Sequence, residues 1–151
     1  GLSVANGIAI SAKMDNESYR VYCILGDGEI EEGQVWEALM ASNKYKLDNL
    51  CVIVDNNNLQ IDGTIEEVMS SYPIDKKFES FGFNVICIDG HNIQEIKNAF
   101  EEAKNTKGKP TCIIAKTVKG KGVSFMENQA SWHGKAPNKE QYEEAMHELS
   151  I

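Results

Sequence analysis

Four short apolar runs constrain this chain more than anything else: Val21–Leu25, Leu50–Val54, residues 83–88 and residues 111–116. Each is close to continuous in apolar residues instead of alternating with polar ones. A strand buried on both faces reads this way, whereas a strand with one wet face alternates. Strands are expected at about residues 20–25, 50–55, 83–88 and 111–116. Helical periodicity fills the intervals, at about residues 2–14, 33–46, 75–81, 93–105 and 139–149. Their expected inward stripes are Val4, Ile8 and Ala12; Val35, Leu39, Asn43 and Leu47, with Trp36 and Met40 beside them; Ile93, Ile96, Phe100 and Ala103; and Tyr142, Ala145, Met146 and Leu149. Asn92 with Glu95, and Asn138 with Gln141, have the spacing of helix-capping pairs. Gly82 suits the residue that ends the short third helix. Residues 56–72 read as a long loop with a turn at Asp62-Gly63. The alternation points to a doubly wound α/β domain with a mostly parallel sheet and helices on both faces.

A length of 151 residues suits one domain spanning the whole chain. The formal net charge of −8 argues against a generic nucleic-acid binder, which needs a basic footprint. No apolar stretch approaches the roughly 20 residues that cross a bilayer. The opening from Gly1 to Met14 shows no secretory leader and reads as the middle of a helix, so the domain is expected to be truncated at its N-terminus. Cys23, Cys51, Cys87 and Cys112 all fall in expected strands without a C-x-x-C pair. They read as reduced core residues, which implies a cytoplasmic setting.

In doubly wound sheets, ligands bind beyond the carboxyl ends of the strands. The polar clusters Gly26–Glu32, Asp55–Asn58, Asp89–Asn92 and Lys116–Gly122 all fall at such ends. Gly26-Asp27-Gly28 closes the first apolar run and Asn56-Asn57 the second, with residues 29–55 leaving room for one crossover helix. A carboxylate and a carboxamide at successive strand ends suit a hard cation such as Mg²⁺, which takes oxygen ligands and commonly bridges to phosphates. Glycines on either side of Asp27 let backbone N–H groups approach a diphosphate. Either motif alone is an ordinary turn; the signal lies in their joint occurrence.

Those motifs resemble the thiamin diphosphate fingerprint, and the longer strings resemble transketolase. They are Gly-Asp-Gly-Glu-Ile-Glu-Glu-Gly-Gln-Val-Trp-Glu-Ala at 26–38, Val-Asp-Asn-Asn-Asn-Leu-Gln-Ile-Asp-Gly at 54–63, Lys-Gly-Lys-Gly-Val at 119–123 and Trp-His-Gly-Lys-Ala-Pro at 132–137. The resemblance extends over nearly the whole chain and is nearest to the N-terminal subunit of transketolases split over two polypeptides. It implies that Asp27, Asn57 and the carbonyl of Leu59 bind Mg²⁺ or Ca²⁺. It implies that Gly26, Gly28 and Glu29 lie along the diphosphate, that Ile61 packs near the cofactor rings, and that His133 contacts the diphosphate and borders the substrate channel. Glu32 matches a glutamate near the subunit interface and the cofactor of the other protomer. The implied reaction moves a two-carbon ketol unit between sugar phosphates, in an oligomer with a pyrimidine-binding domain or chain. Without that partner the chain is expected to be inactive.

Simpler readings stand beside these. Glu32 suits a first-turn helix acid, Ile61 a loop anchor and His133 a surface-loop histidine. His91 follows a strand end, and Lys119 and Lys121 suit an anion-binding loop, a lid or an exposed turn. His147, Glu66-Glu67 and Glu143-Glu144 read as solvated charges. Another thiamin diphosphate enzyme, such as deoxyxylulose-phosphate synthase or a 2-oxo acid dehydrogenase α subunit, also fits. So does a non-catalytic nucleotide- or phosphate-binding module, although no Walker or Gly-x-Gly-x-x-Gly string follows the first strand. A purely structural subunit is the third alternative.

Overall fold

The computed structural model describes residues 1–150. Its elements run α1 (Leu2–Met14), β1 (Val21–Gly26), α2 (Gly33–Lys44), β2 (Leu50–Asn56), β3 (Leu59–Gln60), β4 (Gly63–Thr64), α3 (Ile65–Val68), α4 (Ile74–Ser80), β5 (Asn84–Asp89), α5 (Ile93–Asn105), β6 (Thr111–Lys116) and α6 (Lys139–Leu149). Short 3-10 turns cover Glu29–Glu31 and Ala130–Trp132. The main sheet has the order β1-β2-β6-β5 with every pairing parallel. Register aligns the strand ends: Gly26 lies opposite Asp55, Asn56 opposite Lys116, and Asp89 opposite Lys116.

Strand parity divides the core in two, because successive side chains point to opposite faces. One face carries Cys23, Leu25, Val52, Val54, Cys112 and Ile114 against α1, α2 and α4. The other carries Cys51, Ile113, Ala115 and Ile88 against Ala99 and Ala103 of α5. The parallel α/β reading of the apolar runs therefore holds, with one difference. On β1, Tyr22 and Ile24 are exposed, Ile24 by 72%. The reason is connectivity: α5 links β5 to β6 and lies over that half of the sheet, meeting β1 through an edge-on Phe100–Tyr22 contact at 5.5 Å.

Several expected stripes face elsewhere. In α1 the buried residues are Leu2, Ala5, Asn6, Ala9 and Ala12, while Val4 and Ile8 are exposed. Small residues allow α1 to approach α2 closely. Asn6 Nδ2 donates to the Ala38 carbonyl at 2.7 Å, and Ser42 Oγ donates to Asn6 Oδ1 at 2.8 Å. Ile93 in α5 is exposed, and in α6 only Ala145 is buried. Met40 is also exposed, as is Cys87, unlike the other three thiols. The expected loop after β2 contains β3, β4 and α3, whose Thr64–Glu67 capping box is complete. Asn138 and Gln141 also form a full capping box. Asn92 caps α5, and Glu95 accepts from the Asn92 side-chain amide at 2.9 Å and from the Asp89 N–H at 2.8 Å instead of from the Asn92 N–H. Gly82 ends α4 at φ +85°, with the Phe83 N–H reaching back to the Phe78 carbonyl. Among the described residues, no helix is long and apolar enough to cross a membrane.

Candidate cofactor and metal site

Asp27 leaves β1 immediately after Gly26 and is only 1% exposed. Burial pushes its carboxyl pKa above the ordinary value. Hydrogen bonds from Asn56 and from the Asn58 and Gly28 backbones pull the other way, and the Asp55 charge adds to the rise. The geometry is tight: Asp27 Oδ2 accepts from Asn56 Nδ2 at 3.0 Å and from the Asn58 N–H at 2.6 Å. Asn58 adopts φ +62°, a left-handed conformation that asparagine tolerates better than most residues. That kink turns the β2 exit so that the residues flanking Asn57 both clasp the Asp27 carboxylate.

Asn57 stands between those two contacts. Its Nδ2 donates to Asp55 Oδ2 at 3.2 Å, and its Oδ1 accepts from the Leu59 N–H at 3.0 Å. Asp55 is itself held by the Thr117 hydroxyl, which donates to its Oδ1. The turns after β2 and β6 are thus joined through one carboxylate. Asp27, the Asn57 amide oxygen and the Leu59 carbonyl make an all-oxygen donor set with a single carboxylate, which fits a hard divalent cation. Among the described residues, no group of three or more His, Cys, Asp or Glu side chains is placed to share a metal. A cation here would depend on amide and carbonyl oxygens.

A cavity of about 760 Å³ opens over these strand ends. Gly26, Asp27, Gly28, Glu29, Glu32, Asn57, Leu59, Ile61 and His133 all line it, so the residues for which the resemblance implies a cofactor, metal or catalytic role surround one cavity. Glu29 opens a 3-10 turn, where its N–H precedes any helical acceptor, while its carboxylate accepts from the Gly26 N–H at 3.1 Å. Glu32 occupies the N-cap of α2 instead of its first turn, with no side-chain capping bond. Ile61 sits at the wall 69% exposed. A Cβ on Gly28 would lie 3.0 Å from Gln60 Cβ, so glycine there permits close approach of the two walls. Gln60 in turn donates to Glu31 at 2.8 Å.

His133 follows the Ala130–Trp132 turn. Trp132 Nε1 donates to the Phe125 carbonyl at 3.0 Å, its ring lies 5.4 Å from that of Phe125, and Lys135 stands over it at 4.6 Å. These contacts fix the loop that carries His133. Sequence reasoning gave no individual role to Asp55, Glu31, Gln60, Met69 or Lys119, and all five line the cavity. The usable signals were the strand-end clusters that contain Asp55 and Glu31, and the alternation of Lys119 and Lys121 with Gly120 and Gly122. The lining holds five carboxylates (Asp27, Glu29, Glu31, Glu32 and Asp55) against one lysine. A bare diphosphate would be repelled, whereas a divalent cation inverts the local field. His91 and Lys121 lie outside the lining.

Fold and site together define a cofactor-binding domain of the doubly wound parallel class, with its site at the carboxyl ends of the strands. The family model described as "Transketolase, thiamine diphosphate binding domain" matches residues 1–150. The chain belongs to the transketolase family. It is 49% identical over 150 residues to one subunit of the apulose-4-phosphate transketolase of Phocaeicola vulgatus, covering 99% of this chain and 53% of that protein. It is 46% identical over 152 residues to human transketolase, covering 99% of this chain and 24% of that protein. The crystal structure of transketolase from Campylobacter jejuni superimposes with a TM-score of 0.93 at 34% identity, covering 100% of this chain and 25% of that one. The chain thus spans about half of the Phocaeicola relative and about a quarter of the other two.

Proposed function

We propose that this chain is the diphosphate- and metal-binding part of a transketolase that moves a two-carbon ketol unit from a ketose phosphate to an aldose phosphate. The observation that carries this reading is the clasp of Asn56 and Asn58 on the buried Asp27 carboxylate, with Asn57 held between them over the cavity. Asp27, Asn57 Oδ1 and the Leu59 carbonyl would hold Mg²⁺ or Ca²⁺. Gly26, Gly28 and Glu29 would lie along the diphosphate, and Lys119 would face it as the lysine of the lining. Ile61 offers apolar surface to the cofactor rings.

When bound, thiamin diphosphate supplies the nucleophilic carbon that carries the ketol unit. The chain's own residues position and protonate. His133, on its braced loop at the cavity wall, binds beside the diphosphate and exchanges protons with the sugar hydroxyl groups. Glu32, exposed at the N-cap of α2, faces a partner protein. The Phocaeicola relative, itself one subunit of its enzyme, supports a second polypeptide that supplies the pyrimidine-binding domain, in an oligomer acting on sugar phosphates. The four free thiols, three of them buried, fit a cytoplasmic setting. The isolated chain is expected to bind cofactor weakly and to turn over nothing.

Thermal-shift measurements with Mg²⁺ plus thiamin diphosphate, set against ATP and NAD, test the site. Stabilisation by thiamin diphosphate and Mg²⁺ together, and by neither nucleotide, is the expected result. Stabilisation by ATP without any response to thiamin diphosphate would replace this reading with a nucleotide-binding module.

A further inference from the structure

The turns after β5 and β6 press against each other. A Cβ on Gly90 would come within 2.5 Å of Thr117 Cγ2, so the Asp89–His91 turn lies directly on the Thr117 turn. Gly90 N–H donates to the Lys116 carbonyl at 2.8 Å, and the His91 N–H donates to Asp89 Oδ1 at 2.9 Å. These bonds set the conformation from which the His91 ring reaches across. Its Nε2 accepts the Val118 N–H at 2.8 Å. Nε2 is thus the acceptor of this bond and carries no proton while it accepts.

Val118 lies beyond the end of β6, where the sheet offers its N–H no partner. On one side is Thr117, tied to Asp55 and, through its N–H at 3.2 Å, to the Asn56 carbonyl. On the other side is Lys119, which lines the cavity. Gly120 follows at φ +71°, and a Cβ there would meet the Met126 carbonyl oxygen at 2.6 Å. The segment from Thr117 to Gly120 is therefore held at both ends, and His91 supplies the side-chain tie in its middle.

We infer that His91, outside the cavity, is a positioning residue that sets Lys119 against the bound diphosphate by holding the Val118 N–H. The inference rests on the diphosphate reading of the cavity. His91 touches no ligand; it acts one residue away from Lys119 along the backbone. A glutamine at this position keeps an acceptor at similar reach, whereas alanine leaves the Val118 N–H without its acceptor, with only the Val118 and Lys119 carbonyls still held, by the Lys121 and Asn128 N–H groups.

The test uses the full-length protein assembled with its pyrimidine-binding partner, in saturating Mg²⁺, with thiamin diphosphate as probe and calorimetric affinity as readout. His91→Ala is expected to weaken binding about three- to tenfold, the range of one lost hydrogen bond. His91→Gln restores it to within about twofold. In a Lys119→Met background the His91→Ala loss falls below about twofold, because the group it positions is gone. Hydrogen exchange at the Val118 amide speeds up in His91→Ala and stays near wild type in His91→Gln. Should His91→Ala fail to fold, His91→Asn, too short to reach Val118, takes its place. Unchanged affinity in the short variant, or a loss that persists in full without Lys119, overturns the inference while leaving the cavity reading intact. A wild-type protein that binds no thiamin diphosphate overturns both.

Discussion

Replacing Asp27 by Asn removes one negative charge and almost no volume, so it isolates what that charge does. In the chain without cation the carboxylate is buried at 1% exposure, its pKa pushed up by desolvation and by the neighbouring Asp55 charge. Asn56 and Asn58 offset only part of that cost. The substitution should therefore leave stability of the cation-free protein within about 1 kcal/mol of wild type. With Mg²⁺ and thiamin diphosphate the outcome inverts. Asp27 is the one carboxylate in the proposed donor set, and removing one partner of a buried charge pair costs about 3–5 kcal/mol. At the lower end that is somewhat over a hundredfold in affinity. At a ligand concentration about 100 times the wild-type Kd, binding stabilises wild type by about 2.7 kcal/mol. For a domain of this size that is roughly 5–10 °C in Tm. Asp27→Asn at the same concentration would sit near its own Kd, gaining about 0.4 kcal/mol, or roughly 1 °C. Differential scanning fluorimetry, with calorimetry for the Kd, reads both quantities. A full wild-type shift in Asp27→Asn, or an affinity within about threefold of wild type, would refute the cation role.

Asn6→Ala removes the donor to the Ala38 carbonyl and one of the two acceptors of the buried Ser42 hydroxyl, which keeps the Ala38 carbonyl; denaturant unfolding should show a loss of about 0.5–1.5 kcal/mol. Gly120→Ala forces a Cβ to 2.6 Å from the Met126 carbonyl oxygen at φ +71°, so the same measurement should show about 1–3 kcal/mol lost. Burial alone would raise the Asp48 pKa, but the Gly108 N–H at 2.9 Å and Lys13 Nζ at 2.7 Å outweigh it and hold it below the ordinary value. A folded pKa below the unfolded one stabilises at neutral pH, and that contribution is lost as pH falls through the folded value, below about 4. Asp48→Asn should therefore flatten the acid limb of a stability-versus-pH curve. Because Lys13 is 39% exposed, the loss at pH 7 should stay under about 1 kcal/mol.

The strands and the longer helices were legible because a doubly buried strand leaves no room for polar residues, and runs such as Leu50–Val54 have no other use in a chain of this size. Boundaries fell within two residues for all nine expected helices and strands. Helix faces were less legible. Val4 and Ile8 satisfy a four-residue repeat as well as Ala5 and Ala9 do, and hydrophobicity favours the larger pair. Close approach of α1 to α2 favours the smaller one. The stripe of α6 is apolar on paper yet meets little of the described fold. In the candidate site, the place of Asp27 and Asn57 on the cavity was legible because glycine and asparagine at strand ends mark turns. Asp55 fell in the same strand-end cluster, but its bonds were not legible, since an acid as the last-but-one residue of a strand looks like any polar boundary. Its partner Thr117 is 62 residues away, and only the sheet order brings them together.

Parallel pairing of β1 with β2 places Gly26 opposite Asp55. Slipping that pairing by one residue would carry the Asn56–Leu59 segment about 3.3 Å along the strand and turn every β2 side chain to the wrong face. Asn56 and Asn58 would then miss the Asp27 carboxylate. Under the proposed ion role, a misregistered chain would lose its ligand and the stabilisation that comes with binding, so the register of one strand pair sets the whole clasp.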